Sequence, residues 1–275
     1  MFFLTDLEKK YLLNHLLKVS RKVGVSDELR GWSWYDEPLK PYHDIRLPMY
    51  LICSKYCPTS RDVYLRSVQK EKGEPTPEIE LGTAIHSAVF NILQALMEDE
   101  DFPLENYQDP RIQNVAEYVH AQARASILKR QAEQPYASRR DVLQTSLPFL
   151  IEHKISGGLL GLSELLSIDA LDYLHNIVFD LKVGKQEEAY RLYCTGYALV
   201  FESVYEVPID TGCLVYVDFK GEKLHVTKDL FHLSDNLRSW WIEERDKKLE
   251  MVSTNEDPGK PSSCPKTCMY YTVCR

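Results

Sequence analysis

No run of 18 or more consecutive apolar residues occurs in this chain, so a membrane span is not expected. The opening residues, MFFLTDLEKKYLLNHLLKVS, carry acidic groups and a lysine pair within the apolar pattern. They lack the basic start, unbroken apolar core and small-residue cleavage site of a secretory signal, so the expected compartment is the cytoplasm. A Ser/Gly/Pro-rich linker, internal repeats and low-complexity tracts are also lacking, and the 275 residues are expected to form one compact domain. Positive charge is scarce too. The net charge of -8 means that any contact with phosphates must rest on local basic groups, of which Arg61, Arg66, Lys70 and Lys72, then Lys129, Arg130, Arg139 and Arg140 are the candidates.

Cysteine, in contrast, stands in an informative arrangement. Cys57 lies near the front, and Cys264, Cys268 and Cys274 crowd the end. Cytosolic thiols are kept reduced, so such a set points to a metal or cluster before disulfides. Four thiolates suit zinc or an iron-sulfur cluster, and geometry read from sequence does not separate the two. The terminal Cys-x3-Cys-x5-Cys spacing, with one partner far upstream, is unlike the two close pairs usual in zinc modules. Whichever group is held, the ligands would clip both ends of the chain together. Cys53 competes with Cys57 as the fourth ligand, whereas Cys194 and Cys213 have no spacing partner and read as small packing residues.

Apolar spacing outlines the elements. Leu7, Tyr11, Leu12 and Leu16 predict a helix over residues 5–19, followed by an ordered connection from Ser26 to Pro48 and a helix opening after Pro58. From Glu78 to Glu98, Leu81, Ile85, Val89, Ile92 and Leu96 form one stripe, with His86 at its edge, able to look into a cleft. Helices are predicted over 111–131 and 138–152, a strand hairpin in LLSIDALDY and NIVFDLKV, and a helix over 186–204. A second hairpin over 212–219 and 222–227, a charged amphipathic helix over 234–250 and an irregular tail from Pro258 to Arg275 complete the chain.

The first hairpin gathers the chemistry. Asp180 and Lys182 share one strand face, because side chains two apart point the same way. A loop of His175 and Asn176 alone would set Asp169 opposite Lys182, placing all three on one surface. Phosphodiester hydrolysis needs a divalent cation held by oxygen ligands, which Asp169 and Asp180 supply. A neighbouring lysine can orient the attacking water and stabilise the transition state, and His86 adds a nitrogen ligand suited to manganese as well as magnesium.

The order of helix with GTAIH, strand with Asp169, strand with Asp180-Leu181-Lys182 and helix with Tyr197 resembles the RecB-like branch of the PD-(D/E)XK nucleases. With KYCPTSRDVYL ahead of it and CPKTCMYYTVC at the end, it resembles the CRISPR-associated Cas four exonucleases, and the long N-terminal portion suggests their Csa-one variant. The likeness covers about residues 50–275. It implies that His86, Asp169, Asp180 and the Leu181 carbonyl bind Mn2+ or Mg2+, that Lys182 is the catalytic lysine, and that Cys57, Cys264, Cys268 and Cys274 hold a 4Fe-4S cluster. Three departures stand out: Leu166 replaces a frequent glycine, Tyr193 stands where Gln-x-x-x-Tyr has its glutamine, and the first terminal cysteine pair has one extra residue.

The expected fold class is therefore an α/β, RecB-like PD-(D/E)XK nuclease core, a twisted mixed sheet flanked by helices. The single domain 1–275 divides into a helical extension (1–56), an iron-sulfur clip (57–75 and 258–275) and the core (78–250). The implied activity is metal-dependent exonucleolytic cleavage of single-stranded DNA ends. It would process spacer precursors in CRISPR adaptation beside the Cas one and Cas two integrase. The alternatives are a non-catalytic iron-sulfur adaptor that binds DNA ends or integrase, and a zinc-stabilised binding module.

Overall fold

The computed structural model describes residues 1–100, 102–104, 107–264 and 268–274. The spacer Pro265-Lys266-Thr267 and the terminal Arg275 lie outside the described residues. A five-stranded mixed sheet forms the framework, in the order β1 (Phe149–Ile155), β2 (Leu166–Asp172), β3 (Ile177–Val183), β4 (Thr211–Lys220) and β5 (Lys223–His232). Ahead of it come α1 (Asp6–Tyr11) and α2 (Leu17–Val23), joined by a π-helical turn, then α3 (Met49–Cys53), α4 (Arg61–Ser67), α5 (Pro77–Met97), α6 (Pro110–Glu133) and α7 (Arg139–Ser146). α8 (Arg191–Tyr205) crosses from β3 to its parallel neighbour β4, and α9 (Asp235–Thr254) follows β5.

The β2–β3 register differs from the expected one in a way that leaves the site intact. Asp172 pairs with Ile177, leaving Tyr173, Leu174, His175 and Asn176 as the loop. The Asp172 carboxylate accepts the N–H groups of Leu174 and His175 and contacts His175 Nδ1, and Asn176 takes a left-handed conformation at φ 52°. This aspartate-captured turn is wider than the two-residue loop. It slides the strands by two positions, so every side chain keeps its face. Asp169 comes level with Asp180 instead of Lys182.

A second correction concerns β1. The helix expected over 138–152 stops at Ser146, and Phe149–Ile155 is an edge strand paired with β2. Pro148 is the cause, since the residue before a proline is pushed out of the helical region; Leu147 sits at φ -124°, ψ 64°. The second hairpin is longer than expected, with Lys220 opposite Lys223 and Gly221 at φ 63° in the turn.

Both faces of the sheet are covered, which is why β3 and β4 are nearly continuous apolar runs. Ile177, Phe179, Leu181, Cys213, Val215 and Val217 pack toward the α5–α6 side, with Ile85, Val89 and Val119 among their neighbours in that core. Val178, Leu214 and Tyr216 belong to the other core, with Leu192, Ala198, Leu199 and Trp241. By length and composition α5 could cross a bilayer, yet Ile85, Val89, Ile92 and Leu93 are all wholly buried in the protein.

The first 56 residues are built into both cores. Met1 and Phe2 are buried, and the Phe2 ring meets Phe90, Phe149 and Phe179. The helix expected from residue 5 forms, but Leu12 and Leu16 are buried while Leu7 and Tyr11 are exposed. Further on, Arg30 and Arg238 share the buried carboxylate of Glu202, whose Oε2 also accepts the Gly31 N–H. A Cβ on Gly31 would collide with the Leu199 carbonyl, so only glycine permits this approach to α8.

Candidate metal centre and cysteine corner

Alternation along β3 aims Asp180 and Lys182 at the α8 side while Leu181 enters the opposite core. Lys182 Nζ lies 2.7 Å from Asp180 Oδ2. The two are in ion-pair contact, and apart from Lys182 no donor meets the buried Asp180 Oδ2 among the described residues. From β2, Asp169 Oδ2 accepts the Leu181 N–H at 2.9 Å. From α5, His86 brings Nδ1 to 3.7 Å from the same Asp169 oxygen, its ring edge-on to Phe90. The four side chains singled out by sequence, with the Leu181 backbone, thus meet in one place.

The electrostatics follow from burial. Burial pushes the Asp180 carboxyl up to about 6 against the pull of Lys182, and Asp169 adds repulsion. Burial likewise raises Asp169 to about 6, opposed by Lys182 and the Leu181 N–H. Lys182 is itself buried, but Asp180, then Tyr193 and Asp169, outweigh that and hold its pKa above the usual lysine value. His86 is lowered by burial, partly offset by Asp180. Two carboxylates uncomfortable as anions, one of them met at its Oδ2 by Lys182 alone, form a donor set whose chemistry fits a hard divalent cation. Among the described residues no three His, Cys, Asp or Glu side chains stand close enough to hold a metal as they are, and the cation beside Asp180 is Lys182.

Two features of the centre escaped the sequence reading. Glu152 on β1 adopts φ 46°, interrupting the β1–β2 ladder opposite Asp169, and its charge bears on both Asp169 and His86. Nothing in the residue types around it marks that conformation. The other is an aromatic stripe: Tyr190 at the N-cap of α8, with Tyr193 and Tyr197 on it, faces the site, and the Lys182 ammonium sits 3.5 Å from the Tyr193 ring centroid and 5.5 Å from that of Tyr190. Their spacing of three and four residues is a one-face helical pattern and was readable.

The four cysteines also gather, at a second corner. All seven in the chain are free. Cys268 is buried with Leu65 and Tyr270, and Cys264, Met269 and Cys274 pack against them. The Cys268 thiol is pushed up to about 11 by burial, with Cys264 and Cys57 adding to it. Soft sulfur donors of this kind fit zinc or an iron-sulfur cluster. Cys57 contacts Thr59 Oγ1, which donates to the Gly259 carbonyl, and Arg61 clasps Asp257 through two hydrogen bonds while donating to Cys274 Sγ at 3.3 Å. Cys53 lies elsewhere, wholly buried, with Lys248, Lys182 and Asp180 as its charged neighbours.

Most of the basic groups considered for phosphate contact are engaged within the protein. Arg61 holds Asp257, Arg66 stacks on Tyr50, Lys70 donates to the Ser67 carbonyl, and Arg130 and Arg139 pair with Glu133 and Asp99. Lys72, Lys129 and Arg140 are exposed.

Comparison with known proteins shows the family. The family model for CRISPR-associated exonuclease Csa1 matches residues 1–275. The chain belongs to the Csa1 family. Among its relatives, the CRISPR-associated exonuclease Csa1 of Thermoproteus tenax is 31% identical over 287 residues, covering 99% of each chain. That of Saccharolobus solfataricus is 29% identical over 298 residues, covering 100% of this chain and 99% of its own. The solved structure of SSO0001 matches at 13% identity and a TM-score of 0.28, over 78% of this chain and 95% of its own, too loose a likeness to carry an argument.

Proposed function

We propose that the protein is a divalent-metal-dependent DNA exonuclease with a RecB-like PD-(D/E)XK core. The observation that carries this reading is the meeting of Asp169, Asp180 and Lys182 on one face of the sheet with His86 across from Asp169 at 3.7 Å. Asp169, Asp180, His86 and the Leu181 carbonyl would hold Mn2+ or Mg2+. When bound, the cation would supply Lewis acidity toward a phosphodiester oxygen and lower the pKa of a water. Lys182, a point charge on a flexible stem, orients the attacking water and stabilises the charge that develops on phosphorus oxygens. The relatives' names support a CRISPR-associated exonuclease; cleavage of single-stranded DNA ends, in the processing of spacer precursors beside the Cas one and Cas two integrase, is the finer role proposed. At the other corner, Cys57, Cys264, Cys268 and Cys274 hold a 4Fe-4S cluster with a structural role.

The test is a nuclease assay on end-labelled single-stranded DNA with Mn2+, comparing the protein with Asp180→Ala and Lys182→Ala. Both variants should lose cleavage while keeping the fold, and Asp169→Ala should behave the same way. Wild-type rates without Asp180 would overturn the assignment. One observation favours a second reading, a non-catalytic iron-sulfur adaptor: Lys182 is bound to Asp180 and covered by tyrosine, which leaves the centre closed. DNA-end binding without cleavage by the wild type, in any divalent cation, would support that reading.

A further inference from the structure

The Lys182 side chain is held twice. Asp180 Oδ2 is 2.7 Å from its Nζ, and the Tyr193 ring centroid is 3.5 Å away on the α8 side, with Tyr190 further out at 5.5 Å. A cation over a ring face is attracted by the ring quadrupole, and more strongly where water is excluded. Here the lysine side chain is only 17% exposed. Lysine reaches the site on four methylenes and does not fix its own position. The carboxylate is an unreliable anchor for it, because the same oxygens are the donors a divalent cation would use. The ring does not compete for that role.

We infer that Tyr193 is a positioning residue of the centre, its π face clamping the Lys182 ammonium beside Asp180. This deepens, and rests on, the nuclease reading. The clamp is a property of the ring and not of the hydroxyl. Tyr193 lies in the first turn of α8, packed among the residues of the core on that side of the sheet, so its ring plane is fixed by the fold. Removing the ring while keeping an apolar side chain frees Lys182 without changing its charge, its partner or the donor set.

The experiment compares Tyr193→Phe with Tyr193→Leu by two readouts. In Mn2+-dependent cleavage of single-stranded DNA, Tyr193→Leu should lose about tenfold in kcat with KM little changed, and Tyr193→Phe should stay within about twofold of wild type. In metal-free protein with 13C-labelled lysine, the Lys182 ε-methylene signal, identified by its loss in Lys182→Met, should lie upfield of the other lysines because of the ring current. It should stay there in Tyr193→Phe and return to the common position in Tyr193→Leu. Equal losses in Phe and Leu, full activity in Leu, or a Lys182 signal that is unshifted or indifferent to Leu would each overturn the clamp. Should the wild type cleave nothing, the nuclease reading falls and the NMR comparison decides the clamp by itself.

Discussion

Asp180→Asn should make the metal-free protein more stable at neutral pH, although it removes half of an ion pair. Burial raises the Asp180 carboxyl from 3.8 to about 6, a value that already includes the attraction of Lys182. A group with a raised folded-state pKa contributes stability that is fully present below the unfolded value and lost as pH rises through the folded one. About two pKa units correspond to roughly 3 kcal/mol at pH 8, the cost of holding the ionised carboxylate in the fold. Asparagine keeps the shape and does not titrate. In EDTA the variant should therefore equal wild type near pH 4 and exceed it progressively through pH 6, by up to about 3 kcal/mol, or about 5–10 °C in Tm for a chain of this size. Added Mn2+ should reverse the order at about a thousandfold excess over Kd, since only wild type gains binding stabilisation, about 4.1 kcal/mol there. Thermal melts at pH 4, 6 and 8, with EDTA and with Mn2+, check this. A variant less stable than wild type in EDTA at pH 8, or a difference that does not change with pH, would show that Asp180 is a structural ion-pair partner and not a strained ligand.

Other outcomes follow from the same geometry. Apparent Mn2+ affinity should fall as pH drops through about 6, where Asp169 and Asp180 take up protons, by about tenfold per unit for each proton displaced, as read by titration calorimetry. His86→Ala should weaken Mn2+ binding at least tenfold, since loss of a mere ligand-supporting group typically costs about 10- to 100-fold; an unchanged titration would make His86 structural. Anaerobically purified protein should be brown, absorb broadly near 400 nm and contain about four irons per chain, and Cys268→Ser should lose colour and stability. Colourless protein with stoichiometric zinc would refute the cluster but keep the clip, and stable metal-free protein would refute both. Glu202→Ala should destabilise by about 3–5 kcal/mol in denaturant unfolding, because it leaves Arg30 and Arg238 buried without their shared carboxylate.

The parts of the centre that rest on a strict period were legible in sequence. Asp180 and Lys182 share a face because strands repeat at two, and His86 borders the α5 stripe because helices repeat at 3.6. The partner of Asp169 was displaced by two positions because the side chain of Asp172 builds the turn, an interaction that competes with any count of loop residues. The first part of β1, residues 149–152, was read as helix because it follows a helical segment without glycine, and Pro148 was the sign of the boundary. Charge was the least transparent feature. The segment 234–250 reads as a helix with a solvated charged face, yet Arg238, Arg245 and Lys248 are wholly buried. Sequence shows that these residues are charged but not that backbone carbonyls from residues about 200 positions away wait for them.

Those carbonyls explain how the N-terminal portion stays in place. Residues 26–54 form only short helical turns, so many of their carbonyls lack helix or ladder partners and need donors from elsewhere. α9 supplies them in order. Arg238 donates to the Leu29 carbonyl, Arg245 to those of Leu39 and Pro38, and Lys248 to those of Ile52 and Ser54. The helix thus holds the segment at three points over its length, and the last lies just ahead of Cys57. A clip at Cys57, Cys264, Cys268 and Cys274 would join both ends of the chain, but the N-terminal side has these anchors without it. The terminal residues are held among the described contacts chiefly by Arg61 with Asp257 and Cys274, and by the Glu74 N–H to the Met269 carbonyl. Cluster loss should therefore release residues 258–264 and 268–274 first, and hydrogen exchange in Cys268→Ser should rise there and in α4 while residues 29–54 stay protected. Equal deprotection of residues 29–54 would mean that the anchors on α9 depend on the clip, and that the two ends are one cooperative unit.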